Sequence, residues 1–161
     1  MENRYASVID SPVGKLTILA DDEAVYEITF TEKDIESLSE NTLTLEVAQQ
    51  LKAYFDGNLQ TFDFPIKQNG TEFQKEVWQN LLKIPYGTTI SYAKFSEHKP
   101  LAIRAIASAN GKNDLAIVVP CHRVIGSSGK LVGYAGGLWR KQWLLQHERE
   151  VTKTGQTELK F

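Results

Sequence analysis

The run Ile117-Val118-Val119-Pro120-Cys121-His122-Arg123-Val124-Ile125 places a thiol, an imidazole and a guanidinium at consecutive positions, directly after an apolar stretch and a proline. Groups of these types can do nucleophilic chemistry. A free thiol, with a pKa of about 8.5, is mostly protonated at neutral pH, and only the thiolate attacks carbon well, so a reactive cysteine needs a base or a positive environment. His122 and Arg123 are the candidates. An imidazole acting as base needs a partner that fixes its tautomer and stabilises its charged form, usually a carboxylate. Glu148, closing the stretch Trp143-Leu144-Leu145-Gln146-His147-Glu148, can supply one. The competing roles are inert ones: a core thiol for Cys121 and a solvated helix-end carboxylate for Glu148.

This chemistry makes a geometric demand. Residues 117 to 119 read as a buried strand, and in a regular strand adjacent side chains point to opposite faces. His122 therefore meets Cys121 only if the backbone bends after Pro120 or a water bridges the two.

The elements that must hold these groups fall into two modules. Tyr5 to Ile9, a Ser11-Pro12-Val13-Gly14 turn, alternating Leu16, Ile18 and Ala20, and then Tyr26, Ile28 and Phe30 at period two predict a small antiparallel meander. Thr44 is expected to cap a helix carrying Val47, Leu51, Tyr54 and Phe55 on one side, with Gly57 as its stop. Residues 57–70 read as the connection. Thr71-Glu72-Phe73-Gln74 suits a capping box at the head of a helix whose buried stripe is Phe73, Val77, Trp78, Leu81 and Leu82, ended by Pro85-Tyr86-Gly87. A short helix from Ser91 to about Glu97 and another from Pro100 to Asn110-Gly111 would form a helix-turn-helix. On the second, Ile103 and Ile106 are expected to point inward, with Arg104 and Ser108 opposite; Ala105, Ala107 and Ser108 around Arg104 would permit close approach to DNA. A surface arginine on an ordinary packing unit is the alternative. The expected class is α+β: a sheet-and-helix domain over residues 1–66, a mostly helical domain over 71–150, and a tail over 151–161.

Charge separates along the same line. Residues 1–70 carry 5 Lys and Arg against 13 Asp and Glu, a net −8, whereas residues 71–149 carry 11 against 5, a net +6. The second module is the candidate polyanion binder. The single cysteine excludes an internal disulfide, and His98, His122 and His147 have no zinc-ligand spacing, so no metal or cofactor is expected. No membrane span and no secretory signal are apparent, which makes a cytoplasmic protein the default.

Pro120-Cys121-His122-Arg123-Val124 resembles the signature of the O6-alkylguanine-DNA alkyltransferases. The resemblance continues through Tyr134-Ala135-Gly136-Gly137 and the Trp143 to Glu148 stretch, and backward through Asn113, Arg104 and Ser91-Tyr92. It covers residues 71–149 strongly and the first 70 by architecture, implying a ribonuclease H-like N-terminal fold. It further implies a single-turnover methylated-DNA–protein-cysteine S-methyltransferase that takes alkyl groups from O6-alkylguanine, with O4-alkylthymine as a second substrate left open. Cys121 would be the alkyl acceptor, His122 the base acting through a water, and Glu148 its orienting carboxylate. Tyr92 would donate to the extruded base, and Arg104 would fill the gap in the stack. Asn113 would brace the turn before the active-site segment. Ser91, Ala105, Ser108 and Arg123 would lie on the DNA or base; backbone groups at Cys121 and Val124 would read the guanine edge; and Tyr134, Ala135 and Gly136 would close over it. The implied partner is double-stranded DNA, bound by a monomer, with clustering on DNA left open. Base extrusion is a physical necessity, since a methyl carbon on guanine is out of reach inside a stacked duplex.

The chain departs from the family pattern at Asp114, where proline is usual, at Ala107, where glycine is usual, and in a short Tyr92 to Arg104 segment; these bear on the fit of the DNA-facing helix. Two other readings differ in chemistry. A damage-binding module of the same fold carries tryptophan at the cysteine position, which Cys121 argues against. A cysteine hydrolase would need oxyanion donors, and turnover of a chromogenic ester would reveal it.

Overall fold

The computed structural model describes residues 3–126, 133–134 and 136–157. The chain folds as two compact units, one of residues 1–69 with 114–118 and the other of residues 70–113 with 119–161.

In the first unit, β1 (Tyr5–Ile9), β2 (Leu16–Ala20) and β3 (Val25–Thr29) form an antiparallel sheet in the order β1-β2-β3. Alternation holds only in part. Every residue of β2 is buried. The pairing of β2 with β3 shifts between Leu19 and Ala20, so that Val25 and Ile28 are the buried residues of β3 while Tyr26 and Phe30 are half-buried. A bulge inserts one residue and reverses the phase of the side chains beyond it, which a strict period of two cannot anticipate. Asp21 organises the turn between these strands: its Oδ1 accepts from the amides of Glu23 and Ala24, both at 2.8 Å, and its Oδ2 meets Lys67. The Lys67 hydrogen bond and the two amides hold the Asp21 carboxyl down to about 2.

Helix α1 (Thr42–Phe55) packs on β1 and β2 through Thr44, Val47, Ala48, Leu51 and Tyr54. Its cap is Asn41 instead of Thr44. Asn41 accepts from the Thr44 amide, and Thr44 is the third helical residue, whose hydroxyl accepts in return from the Asn41 amide. Gly57 follows the helix at φ +81°, as a stop of this kind requires.

The segment entering the thiol motif is a turn, not the expected strand. The Ile28 amide donates to Asp114 O (2.9 Å) and the Ala116 amide to Ile28 O (3.1 Å), and the pairing ends at that one bridge. Ile117 then takes φ +72°, where no strand can continue and where a β-branched residue is uncommon.

In the second unit, Thr71 and Gln74 form both bonds of the capping box on α2 (Glu72–Leu81). Val77, Trp78 and Leu81 are buried, Phe73 is half-buried and Leu82 exposed. The helix-turn-helix consists of α3 (Tyr92–Phe95), capped by Ser91, a 3-10 turn at Pro100–Ala102, and α4 (Ile103–Gly111). The Trp78 indole N–H donates to Ala109 O at 2.9 Å, tying α2 to α4. The buried side of α4 is Ile106, Ala109 and Asn110; Ile103, expected inside, is exposed. Strands β4 (Ile90–Ser91) and β5 (Val124–Ile125) pair in parallel. Helix α5 spans Leu138–Thr157, so residues 151–157, expected in the tail, continue the helix. No described helix is long and apolar enough to cross a membrane.

Candidate active site around Cys121

Proline at position 120 is followed at once by a 3-10 turn, Cys121–Arg123, so the backbone bends there without bringing His122 into hydrogen-bond contact with the thiol. Tight turning separates the three functional side chains. Cys121 keeps part of its surface open to a pocket of about 560 Å³ lined by Tyr92, Ala107, Asn110, Asn113 and Tyr134 among others. Its volume falls within the roughly 300–1,000 Å³ of small-ligand sites. His122 and Arg123 are buried at 0% and 6% exposure.

Behind the thiol lies a closed ionic network. His122 Nε2 is 2.7 Å from Glu148 Oε2, while His122 Nδ1 is buried and makes no hydrogen bond among the described residues. With Nε2–H donating to the carboxylate, Nδ1 is left as the basic nitrogen. Arg123 grips the same carboxylate twice, Nε to Oε1 at 2.8 Å and Nη2 to Oε2 at 3.0 Å, and its Nη1 donates to Ile84 O at 2.8 Å. The Gly87 amide gives Glu148 Oε1 a fourth bond at 3.1 Å. Burial alone would push Glu148 up, but the bonds from His122 and Arg123 outweigh it and hold the carboxyl well below the usual range. Burial lowers His122 against the pull of Glu148, so the ring rests neutral.

Arg123 is therefore corrected: it was expected on the DNA or base, and it lies beneath the site, where it holds Glu148 and packs 5.5 Å from the Tyr86 ring. The thiol's cationic neighbour is Lys141, which sequence reasoning missed. Burial pushes the Cys121 thiol up, and the Asn113 hydrogen bond and the Lys141 charge pull it back. Lys141 is fully buried, and its Nζ donates to Val124 O at 2.7 Å. A signal was there. Lys141, Leu144, Leu145 and Glu148 follow the i, i+3, i+4, i+7 spacing of one helix face, and all four are buried.

Asn113 donates through Nδ2 to Val119 O (2.8 Å) and to Cys121 Sγ (3.4 Å), so the expected brace also touches the thiol. Tyr92 lines the pocket, and its hydroxyl accepts from Asn110 Nδ2 at 2.5 Å. The Cys121 carbonyl accepts the Val124 amide, and the Val124 carbonyl accepts Lys141, leaving one lone pair on each. Ser91 uses its hydroxyl oxygen to cap α3 at Lys94 N. Arg104, Ala105 and Ser108 are exposed on α4. Gly136 O accepts from Arg140 Nη1 at 2.7 Å. Ala135 lies outside the described residues.

In the sequence Gly87 marks only the end of a helix. It has φ +77°, and a Cβ there would meet Thr152 Cγ2 at 2.5 Å. Gly87→Ala is expected to lower folding stability by roughly 1–3 kcal/mol from backbone strain, with steric cost added. Thr152→Ala in the same chain should restore the steric part only. Equal melting temperatures for Gly87→Ala and wild type would contradict this.

Fold and site together define a two-unit α+β protein with one pocketed thiol set on a buried His–Glu–Arg network. Models of the 6-O-methylguanine DNA methyltransferase family match both units: the ribonuclease-like domain over residues 4–68 and the DNA binding domain over residues 72–150. The chain is 47% identical over 148 residues to a methylated-DNA–protein-cysteine methyltransferase of Mycolicibacterium paratuberculosis, covering 88% of this chain and 90% of that protein. It is 44% identical over 152 residues to the protein of the same name from Methanosarcina acetivorans, covering 89% and 97%. The crystal structure of Mycobacterium tuberculosis OGT in complex with DNA superposes with a TM-score of 0.83 at 42% identity, covering 91% of this chain and 94% of that one. The chain belongs to the 6-O-methylguanine DNA methyltransferase family.

Proposed function

We propose that this protein reverses alkylation of DNA directly, moving the alkyl group of O6-alkylguanine onto Cys121 in one irreversible turnover. The observation that carries the reading is the division of the motif: a thiol open to a pocket, and behind it a neutral imidazole whose Nε2 is committed to Glu148 and whose Nδ1 is unbonded among the described residues. Desolvation holds the thiol pKa up, so it rests protonated and its proton must leave as it attacks. His122 Nδ1 takes that proton through a water, and the ionised Glu148, itself held by Arg123, stabilises the imidazolium. An S–C bond forms as the O6–C bond breaks, and the electron pair goes to the base. Tyr92 donates its hydroxyl to the base as that charge develops, and the base takes up a proton to become guanine. No group in the site removes the resulting thioether.

The substrate enters as an extruded nucleotide, bound by a monomer that carries its basic half toward duplex DNA. Arg104, exposed among Ala105 and Ser108, fills the space left in the stack. A free thiol suits a reducing compartment such as the cytoplasm. Intact-protein mass spectrometry after incubation with a methylguanine oligonucleotide tests the reaction: a gain of one methylene on the Cys121 peptide is expected, and an unmodified peptide would overturn the reading.

Arg104→Ala should slow repair of duplex DNA by roughly tenfold or more, since stack-filling offsets an unstacking cost of a few kcal/mol. Reaction with free benzylated guanine, which needs no extrusion, should change little. Binding to duplex should weaken as salt rises. Equal losses on both substrates would assign Arg104 to the fold or the thiol.

A further inference from the structure

Trp139, in the first turn of α5, leaves 55% of its surface exposed, yet its ring is engaged within the protein. The Arg140 guanidinium stacks on it, 4.5 Å from the ring centroid, and the same guanidinium donates through Nη1 to Gly136 O at 2.7 Å. The indole edge also lies beside Gly137, where a Cβ would stand 3.5 Å from Trp139 Cδ1. Guanidinium and indole thus hold two successive glycines, the second at φ +92°. Glycine loses more conformational freedom on ordering than any other residue, so such a pair stays in place only where its neighbours fix it. From Gly137 the restraint reaches the pocket: its amide donates to Tyr134 O at 2.9 Å, and Tyr134 lines the space to which Cys121 opens.

We propose that Arg140, stacked on Trp139, is a positioning residue for the substrate base, fixing Tyr134 as a wall of the pocket before the base arrives. This rests on the reading of the pocket as an alkylguanine site. A charged donor on a carbonyl makes one of the stronger hydrogen bonds, but near a surface water competes for it. An indole over one face of the guanidinium excludes water from that face and keeps the planar fork in orientation. The exposed ring therefore has a function within the fold. When the wall is ordered in advance, binding of the base does not have to order it. The effect falls on binding and leaves the transfer step alone.

The test is single-turnover alkylation of Cys121 by free benzylated guanine over a range of concentrations, which separates the half-saturating concentration from the limiting rate. Arg140→Met keeps a long side chain and removes its donors; it should raise half-saturation roughly tenfold, the worth of one charge-assisted hydrogen bond, with the limiting rate within about twofold. Trp139→Ala should raise half-saturation roughly threefold, as loss of a surface cation–π contact would. In the Arg140→Met background it should add little, since no cation remains for the ring to hold. Arg140→Lys, which keeps the charge and a donor, should recover part of the loss. Reaction of Cys121 with iodoacetamide, too small to need the wall, should be unchanged in every variant, whereas a general loosening of the fold would alter it. Unchanged half-saturation in both single variants, a loss confined to the limiting rate, or fully additive losses overturns the proposal. So does a Trp139→Ala loss seen only with duplex DNA, which would make the ring a DNA contact. If Arg140→Met fails to fold, the exposed Trp139→Ala still decides. Wild type unreactive toward the free base while active on DNA also overturns it, since an ordered wall holds a base without its strand. Absence of any transfer from methylguanine DNA by wild type would instead overturn the assigned reaction.

Discussion

With Cys121 replaced by alanine, no methyl group moves from a methylguanine oligonucleotide to the protein, while affinity for the duplex stays within about threefold of wild type, a change under ~0.7 kcal/mol. The thiol is the only cysteine in the chain, and no neighbouring group matches it as a nucleophile toward carbon. His122 is buried with its ring turned to Glu148, and the Tyr92 and Tyr134 hydroxyls are both raised by burial. The side chain meanwhile adds little contact area to the DNA surface proposed for α4. Intact-protein mass and a binding titration, run on the same preparation, separate the two outcomes. A methyl group found on the Cys121→Ala protein would end the assignment of this residue as acceptor.

The second large effect is at Glu148, whose side chain is 1% exposed and takes four hydrogen bonds, two on each oxygen. Glu148→Ala leaves the Arg123 guanidinium buried without its counter-charge, held only at Ile84 O, and releases His122. Breaking a buried pair in this way costs about 3–5 kcal/mol, which lowers the melting temperature by roughly 10 °C in a chain of this size. Transfer should slow as well, because the imidazolium loses its counter-charge. If His122 and Glu148 form one relay, the double alanine variant should transfer little more slowly than the slower single variant. Fully additive losses would separate the two residues.

The same network sets how stability depends on pH. Glu148 has a folded pKa below its ordinary 4.5, so its contribution is complete above that value and is lost as pH falls toward the folded pKa. His122 is lowered from 6.5, so below that pH the unfolded chain takes up a proton that the buried ring resists. Both shifts make the folded state bind fewer protons. Wild type should therefore lose stability from about pH 6.5 downward, with a second loss below about 4.5 that Glu148→Ala lacks. Denaturant titrations at several pH values check this, and a wild-type stability that rises on acidification would refute it.

Much of this was legible along the chain. Strongly local signals held: the Thr71–Gln74 capping box, the Ser11 to Gly14 turn between β1 and β2, Pro100 at the entry to the second helix of the helix-turn-helix, and the bend after Pro120. Each depends on backbone groups within a few residues, so its energetics are already written in the local sequence. The thiol motif, the charge division at residue 70 and the family resemblance likewise needed no tertiary structure.

Other features were decided by residues far apart. The bulge opposite Leu19 turned the phase of β3, and the pairing of Ile28 with the segment 114–118 made a turn where an apolar run suggested a strand. Arg123 went to Glu148, 25 positions on, instead of to DNA, because a guanidinium and a carboxylate brought together out of water must pair. Lys141 came to the thiol and Asn110 to Tyr92 by the packing of α5 and α4 within the second unit. What the sequence determined by itself was the kind of chemistry and the class of fold, since these follow from residue types and short-range periodicity. Which charge faces the thiol, which one locks the carboxylate and which amide reaches the pocket were settled only when the chain closed, because burial and pairing of polar groups are properties of neighbours in space.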